Sequence, residues 1–232
     1  MFAERDMRHP LRRAVLALLL AVAGVGTAMA GPGTATRDDD RVSTSSLCAE
    51  VVRQVEGRLG IPAQLLSAIS LAESGRWDAV RRTNVSWPWT IYAEGRPHYP
   101  ANKKAAIAEV RSMLARGVRN IDVGCLQVNL FYHPDAFESL EEAFDPAINT
   151  AYAGELLFQL QITHRSWSRA IAFYHSSTRK FAIPYMRRVK KLWLIEHRRY
   201  AAELRDARIE ALRLKKAERD ATLAGSGQTA TF

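Results

Sequence analysis

The chain has 232 residues, 47% of them hydrophobic and 25% charged, and a formal net charge of +9. The charge is uneven: Arg179 to Asp220 holds 14 Lys/Arg against 6 Asp/Glu, so that stretch carries the basicity and residues 31–178 are close to neutral. A basic tail on a neutral domain argues against nucleic-acid binding and points instead to anionic wall polymers or membrane surfaces.

In chain order, Arg8, Arg12 and Arg13 lead into the apolar run Ala14 to Thr27 and the small-residue site Ala28-Met29-Ala30. This is the pattern of a secretory signal peptide over 1–30 with cleavage after Ala30, which places the mature protein in a bacterial periplasm. The run is short for a membrane span of about 20 residues, so an uncleaved anchor is the lesser alternative. About 200 residues then remain, enough for one domain with a proper core plus appendages. Residues 31–44 are small, polar and turn-rich and read as a flexible leader. The only two cysteines, Cys48 and Cys125, read more readily as a disulfide than as a zinc site, which would need further Cys or His at short spacing. Six scattered histidines without an H-x-x-x-H pattern add no metal ligands, and the expectation is no metal and no cofactor.

Ser45 or Ser46 can cap a first helix whose inner face holds Leu47, Val51, Val52, Val55 and Leu59, closing at Gly60. A second helix runs from Pro62 to Ser74, with Gly75 expected as the left-handed residue past its end. Glu73 falls in its last turn, at the end of the stripe Leu66, Ile69, Glu73. Burial and the negative end of the helix dipole both raise the pKa of such a carboxyl, and a carboxyl protonated near neutrality suits a general acid; a frayed, solvated Glu is the alternative. WPWTIYAEGRPHYP reads as a short hairpin, the one convincing β signal. Asn102 caps a helix running to Arg116 with Gly117 as its stop, and Ser139 with Glu142 makes a capping box. Asp145-Pro146 opens a helix to about Thr163, Ser166 another through Tyr174, and a basic helix runs from about Pro184 toward residue 220. The fold class expected is mainly α, with one hairpin, a long basic C-terminal helix over 194–222 and a disordered tail over 223–232.

Three separated segments carry the chemistry: LAESGRWD around Glu73, GCLQVN over 124–129, and AFYHSS over 172–177. Together they resemble the signature segments of the soluble lytic transglycosylase family, over about residues 48–193. WPWT, HPDAFESLEEAFDPAINTAYA and YMRRV are similar to proteobacterial members, including those of type IV secretion and conjugation systems. The resemblance implies a lysozyme-like α+β fold with a transglycosylase domain over 45–193. It implies cleavage of the bond between N-acetylmuramic acid and N-acetylglucosamine in peptidoglycan, without water, to 1,6-anhydro products. Glu73 would be the single acid then base, with Ser74 supporting it and Gln127, Asn129 and Tyr174 at the substrate.

Each of these residues also has a plainer reading. Asn129 can simply brace its loop. Gly124 would let the backbone approach sugar. Tyr174 would hold Glu73 or the sugar, while His175 and Ser176 depart from the Asn-Ala of the family pattern, and a His at a helix end is mostly a structural hydrogen-bonder. Asp78 and Asp122 are the nearest second carboxylates, Asp122 reading better as a loop cap. Trp77, Trp87, Trp89, Tyr92 and Tyr99 would supply both core and sugar-stacking faces. The rivals are a muramidase of the same fold, which needs a second carboxylate to activate water, and a non-catalytic peptidoglycan-binding assembly factor of an envelope-spanning machine. The basic tail is then a solvated helix, a clamp on anionic glycan, or an arm that docks a partner.

Overall fold

The computed structural model describes residues 37–226; the expected signal segment, residues 31–36 of the expected leader and residues 227–232 lie outside the described residues. Within them α1 (Arg37–Leu59) is followed by α2 (Leu65–Ser74), the hairpin β1 (Gly75–Asp78) and β2 (Thr83–Ser86), and the hairpin β3 (Ile91–Ala93) and β4 (Arg96–His98). Then come α3 (Lys103–Ala115), β5 (Ile121–Val123), β6 (Val128–Asn129), α4 (Leu140–Ala143), α5 (Pro146–His164), α6 (Trp167–His175) and α7 (Arg179–Ser226). The fold is mainly α with small antiparallel sheets, as the sequence leads one to expect.

Two apolar clusters organise it. The helical one joins Val52, Leu65, Leu66, Ile69, Leu157, Ile171 and Val189 around the Cys48–Cys125 disulfide. The other packs α3 under the four-stranded sheet through Trp87, Ile91, Val110, Met113, Ile121, Val123 and Phe144. Strand order in that sheet is β4-β3-β5-β6. Leu66, Ile69 and their like are fully buried, each contributing about 1.5–3 kcal/mol.

Several expected caps form. Asn102 Oδ1 accepts from Ala105 N (2.9 Å), Ser139 Oγ from Glu142 N (3.2 Å), and Asp145 Oδ1 from Ala147 N and Ile148 N. Other boundaries differ. The expected flexible leader is helical from Arg37. Pro62 lies outside α2; the helix starts at Leu65, and its free N–H groups are met from α1, where the buried Glu56 carboxylate accepts from Gln64 N (3.1 Å) and Ser67 N (3.0 Å). Gly75 is extended rather than left-handed (φ −64°, ψ 127°). Glycine is needed there for space, since a Cβ would stand 2.2 Å from the Leu71 carbonyl oxygen.

The expected hairpin is β3–β4, but it is not the sole β structure. β1 pairs with β2, and β5 and β6 flank the GCLQ turn. Strands this short, two to four residues, leave almost no period-2 signal in a sequence. The last helix starts at Arg179, ahead of Pro184, because Ser176 Oγ accepts from Thr178 N (3.0 Å) and the Thr178 carbonyl accepts from Phe181 and Ala182. Pro184 then removes a single i→i−4 bond near the start, and α7 runs without a break across the expected boundary at 193/194 and on through Ser226, past the expected start of disorder.

Candidate active site

Glu73 stands in the last turn of α2, half-buried, where the Leu66–Ile69 stripe directs it. Its Oε1 accepts a 2.5 Å hydrogen bond from the hydroxyl of Tyr185, which α7 brings against α2. Burial pushes the Glu73 carboxyl up to about 7, the Tyr185 bond works against that rise, the Asp122 charge adds to it and Arg188 opposes it. Tyr185 is buried, its own pKa held well above the ordinary 10 by burial and by Glu73, so it stays a neutral donor. The His175 ring stacks on it, centroids 4.4 Å apart and planes 7° from parallel. Burial and Arg188 lower the His175 pKa, which keeps the imidazole neutral near pH 7.

Tyr185 was legible only as one letter of YMRRV; nothing in its spacing from Glu73 announces the contact. Tyr174, expected to hold Glu73 or the sugar, instead donates to the Leu126 carbonyl (2.8 Å) and so positions the GCLQVN loop. Ser74 is 0% exposed and its hydroxyl donates to the carbonyls of Ser70 (3.1 Å) and Cys125 (2.8 Å). It cannot touch a substrate; it ties the end of α2 to the loop. Ser70 Oγ donates to the same Cys125 carbonyl (3.0 Å), and the disulfide anchors the loop to α1.

Gln127 sits in a left-handed conformation (φ 49°), which lets Nε2 donate to the carbonyls of Thr90 (3.0 Å) and Gly124 (2.9 Å). Its Oε1 is buried and has no partner among the described residues. Asn129 has nothing left over. Nδ2 donates to Asn120 Oδ1 (2.6 Å) and Asp122 Oδ1 (2.7 Å), while Oδ1 accepts from the N–H groups of Phe131 (2.9 Å) and Tyr132 (3.0 Å). The bracing role therefore accounts for both of its donors and both of its acceptor positions.

Gly124 needs its glycine for the protein rather than for sugar: φ is +84° and a Cβ would lie 2.5 Å from the Asn149 amide. Asn149, fully buried on α5, is a residue that sequence reasoning missed. Its Nδ2 donates to the carbonyls of Val123 and Ala143 (3.0 Å each) and its Oδ1 accepts from Leu126 N (3.1 Å), so one side chain clamps the loop. Its signal was a polar residue on the Asn149, Ala153, Leu157 stripe of an otherwise apolar helix face. Asn149→Ala is expected to cost about 2–4 kcal/mol, read as a lower denaturant midpoint, because three buried groups lose their partner.

Asp122 is not a loop cap. It lies on β5, where the register sets it opposite Tyr92 on β3 and Asn129 on β6, so the three side chains rise from one face of the sheet. Tyr92 is 43% exposed on that face, while the alternating Ile91, Ala93, Ile121 and Val123 are buried on the other. Burial raises the Asp122 carboxyl to about 6 against the pull of Asn129. Asp78, by contrast, is buried and accepts from Val80 N (3.0 Å) and Arg81 N (2.9 Å), a turn cap of the first hairpin. The aromatic set divides: Trp87 (2% exposed) and Trp89 are core, whereas Trp77 (61% exposed), Tyr92 and Tyr99 present their rings outward.

No protein-family model, curated protein or solved structure matches the chain. What the arrangement can do chemically is set by one protonatable carboxyl poised near neutrality, a neutral phenol that orients it, and a second, less buried carboxyl close enough to repel it.

Proposed function

We propose that this chain is a lytic transglycosylase acting on peptidoglycan glycan strands in the periplasm, with Glu73 as general acid and then base. The observation that carries this reading is the Glu73 carboxyl itself, half-buried at a helix C-terminus, raised to about 7 and gripped by Tyr185. The three-segment resemblance supports it from the sequence side.

In the first half of the reaction the protonated Glu73 gives its proton to the glycosidic oxygen as the C1–O4 bond breaks. The C6 hydroxyl of the same N-acetylmuramic acid then bonds to C1 and returns a proton to the carboxylate. Glu73 ends as it began, and no water is consumed. The nucleophile is already part of the substrate, so one carboxyl suffices. Tyr185 donates to Oε1 in both protonation states, which fixes the carboxyl and leaves Oε2 for the proton in transit. Mass spectrometry of muropeptides released from purified peptidoglycan is the test: products with anhydro termini, absent with Glu73→Gln, are expected, and Glu73-dependent reducing ends would overturn the non-hydrolytic route.

Asp122 favours a second reading, a muramidase of the same architecture, because it is a carboxylate on the sheet face whose charge reaches Glu73. The two readings part at Asp122→Asn. Under the transglycosylase reading the variant keeps cleavage within about tenfold, and its alkaline limb moves to lower pH, because loss of a negative neighbour lets Glu73 ionise earlier. A loss of about 10²-fold or more, with the limb unmoved, would favour the hydrolase.

A further inference from the structure

The far half of α7 extends past the body of the domain. The last buried residue of the helix is Glu196, and from Glu203 to Leu223 every residue is exposed. About 30 Å of helix therefore lies clear of both apolar clusters. This stretch holds six Lys/Arg and five Asp/Glu, so its net charge is only +1. What sets it apart is where the charges stand.

At about 100° per residue, five of the six cations, Arg205, Arg208, Lys215, Lys216 and Arg219, fall within roughly one third of the helix circumference. None of the five acidic residues falls there, and Glu203, Glu210 and Glu218 lie on the other side with Leu214. None of those five cations makes an ion pair among the described residues; the one pair inside the stretch, Arg213 to Glu210 at 3.6 Å, lies off that face. A helix built only to stay solvated would spread both signs around itself in i→i+4 pairs. Among the cations stand aliphatic side chains exposed to solvent, Ile209 (49%) and Leu212 (60%), with Leu223 on the same face one residue in from the end of the exposed stretch's last turn.

We propose that this face of α7 lies on the surface of an anionic lipid bilayer. Phosphate-bearing headgroups meet the guanidinium and ammonium groups, whose stems run along the apolar boundary, while Ile209 and Leu212 enter it. Each half of that arrangement excludes another occupant. An anionic polymer would satisfy the cations and leave the aliphatics in water. A second copy of the chain would need an apolar seam, but of the seam positions 205, 209, 212, 216, 219 and 223 three are cations, which would face their own kind. The helix is not apolar enough to cross the membrane, so the contact is peripheral.

Leu212 and Leu214 provide the test. They are the same residue type, almost equally exposed (60% and 58%) and two positions apart, yet they stand on opposite faces. The full mature chain is sedimented with vesicles of phosphatidylcholine alone and of phosphatidylcholine with phosphatidylglycerol. Binding is expected to the anionic vesicles only, and to fall as salt is raised. Leu212→Gln is expected to weaken it about fivefold or more, while Leu214→Gln leaves it unchanged. Arg208→Gln with Lys215→Gln is expected to weaken it about tenfold or more, and Arg213→Gln, off the face, to leave it within about twofold. Gln is close to Leu and Arg in helix propensity, so the variants keep α7, as unchanged far-UV circular dichroism will report. No binding to anionic vesicles, equal binding to neutral ones, or equal effects of Leu212→Gln and Leu214→Gln would overturn the proposal. Dependence on the cations with none on Leu212 would also overturn it and assign the face to an anionic polymer. The readout is vesicle binding with no cleavage step, so it holds or fails apart from the assignment of Glu73.

Discussion

Glu73→Gln is expected to lower glycan cleavage by roughly 10²–10⁴-fold while leaving the protein folded, the range that removal of a general acid-base group produces. Gln has nearly the same shape and can still accept from Tyr185, but it has no proton to give. The same substitution predicts a second, independent signal in stability. In the folded protein the Glu73 carboxyl is raised from its ordinary 4.5 to about 7, chiefly by burial. A raised carboxyl contributes its stability in full below the unfolded value, and that contribution is lost as pH rises through about 7, when a charge must be held in a desolvated place. Glutamine does not titrate. Thermal or denaturant melts should therefore find variant and wild type closest near pH 4.5 and the variant ahead above about pH 8, by something on the order of 2 kcal/mol after allowance for partial exposure. A gap that does not grow with pH would mean that Glu73 is solvated, and the acid assigned to the reaction would then have to be sought elsewhere. Cleavage by wild type should fall over the same window, because the acid form begins the reaction.

What was legible in the sequence is what local physics decides. The caps at Asn102, Ser139 and Asp145 and the Leu66–Ile69–Glu73 stripe act within a turn or two, and they placed the helices they open and Glu73 in the last turn of α2. What was not legible depends on the meeting of distant segments. Tyr185 reaches Glu73 across 112 residues and Asn149 reaches Leu126 across 23, and no spacing rule links such positions. The misread roles have the same origin. Tyr174 stands beside the site in sequence, yet its hydroxyl is spent on the Leu126 carbonyl of the GCLQVN loop. Asp122 looked like a turn residue because its strand is three residues long. Gly75 and Gly124 show that a glycine can be required by a close approach as well as by a positive φ, and the sequence alone does not say which.

Removing the disulfide should separate stability from activity. The Cys48–Cys125 bond closes a loop with a sequence separation of 77, so Cys48→Ala with Cys125→Ala is expected to cost about 4 kcal/mol, read as a shift of the denaturant midpoint. Most of that comes from the freer unfolded chain. The folded loop keeps other anchors: the Cys125 carbonyl still accepts from Ser70 and Ser74, Leu126 is still held by Asn149 and Tyr174, and Gln127 by Thr90. None of these bonds passes through a sulfur. At a temperature where the double variant is still folded, its cleavage rate should therefore stay within about tenfold of wild type, a change of about 1.4 kcal/mol at most in the barrier. Loss of activity at full folding would mean that the bond itself holds the loop in register against α2, and that the side-chain anchors do not suffice.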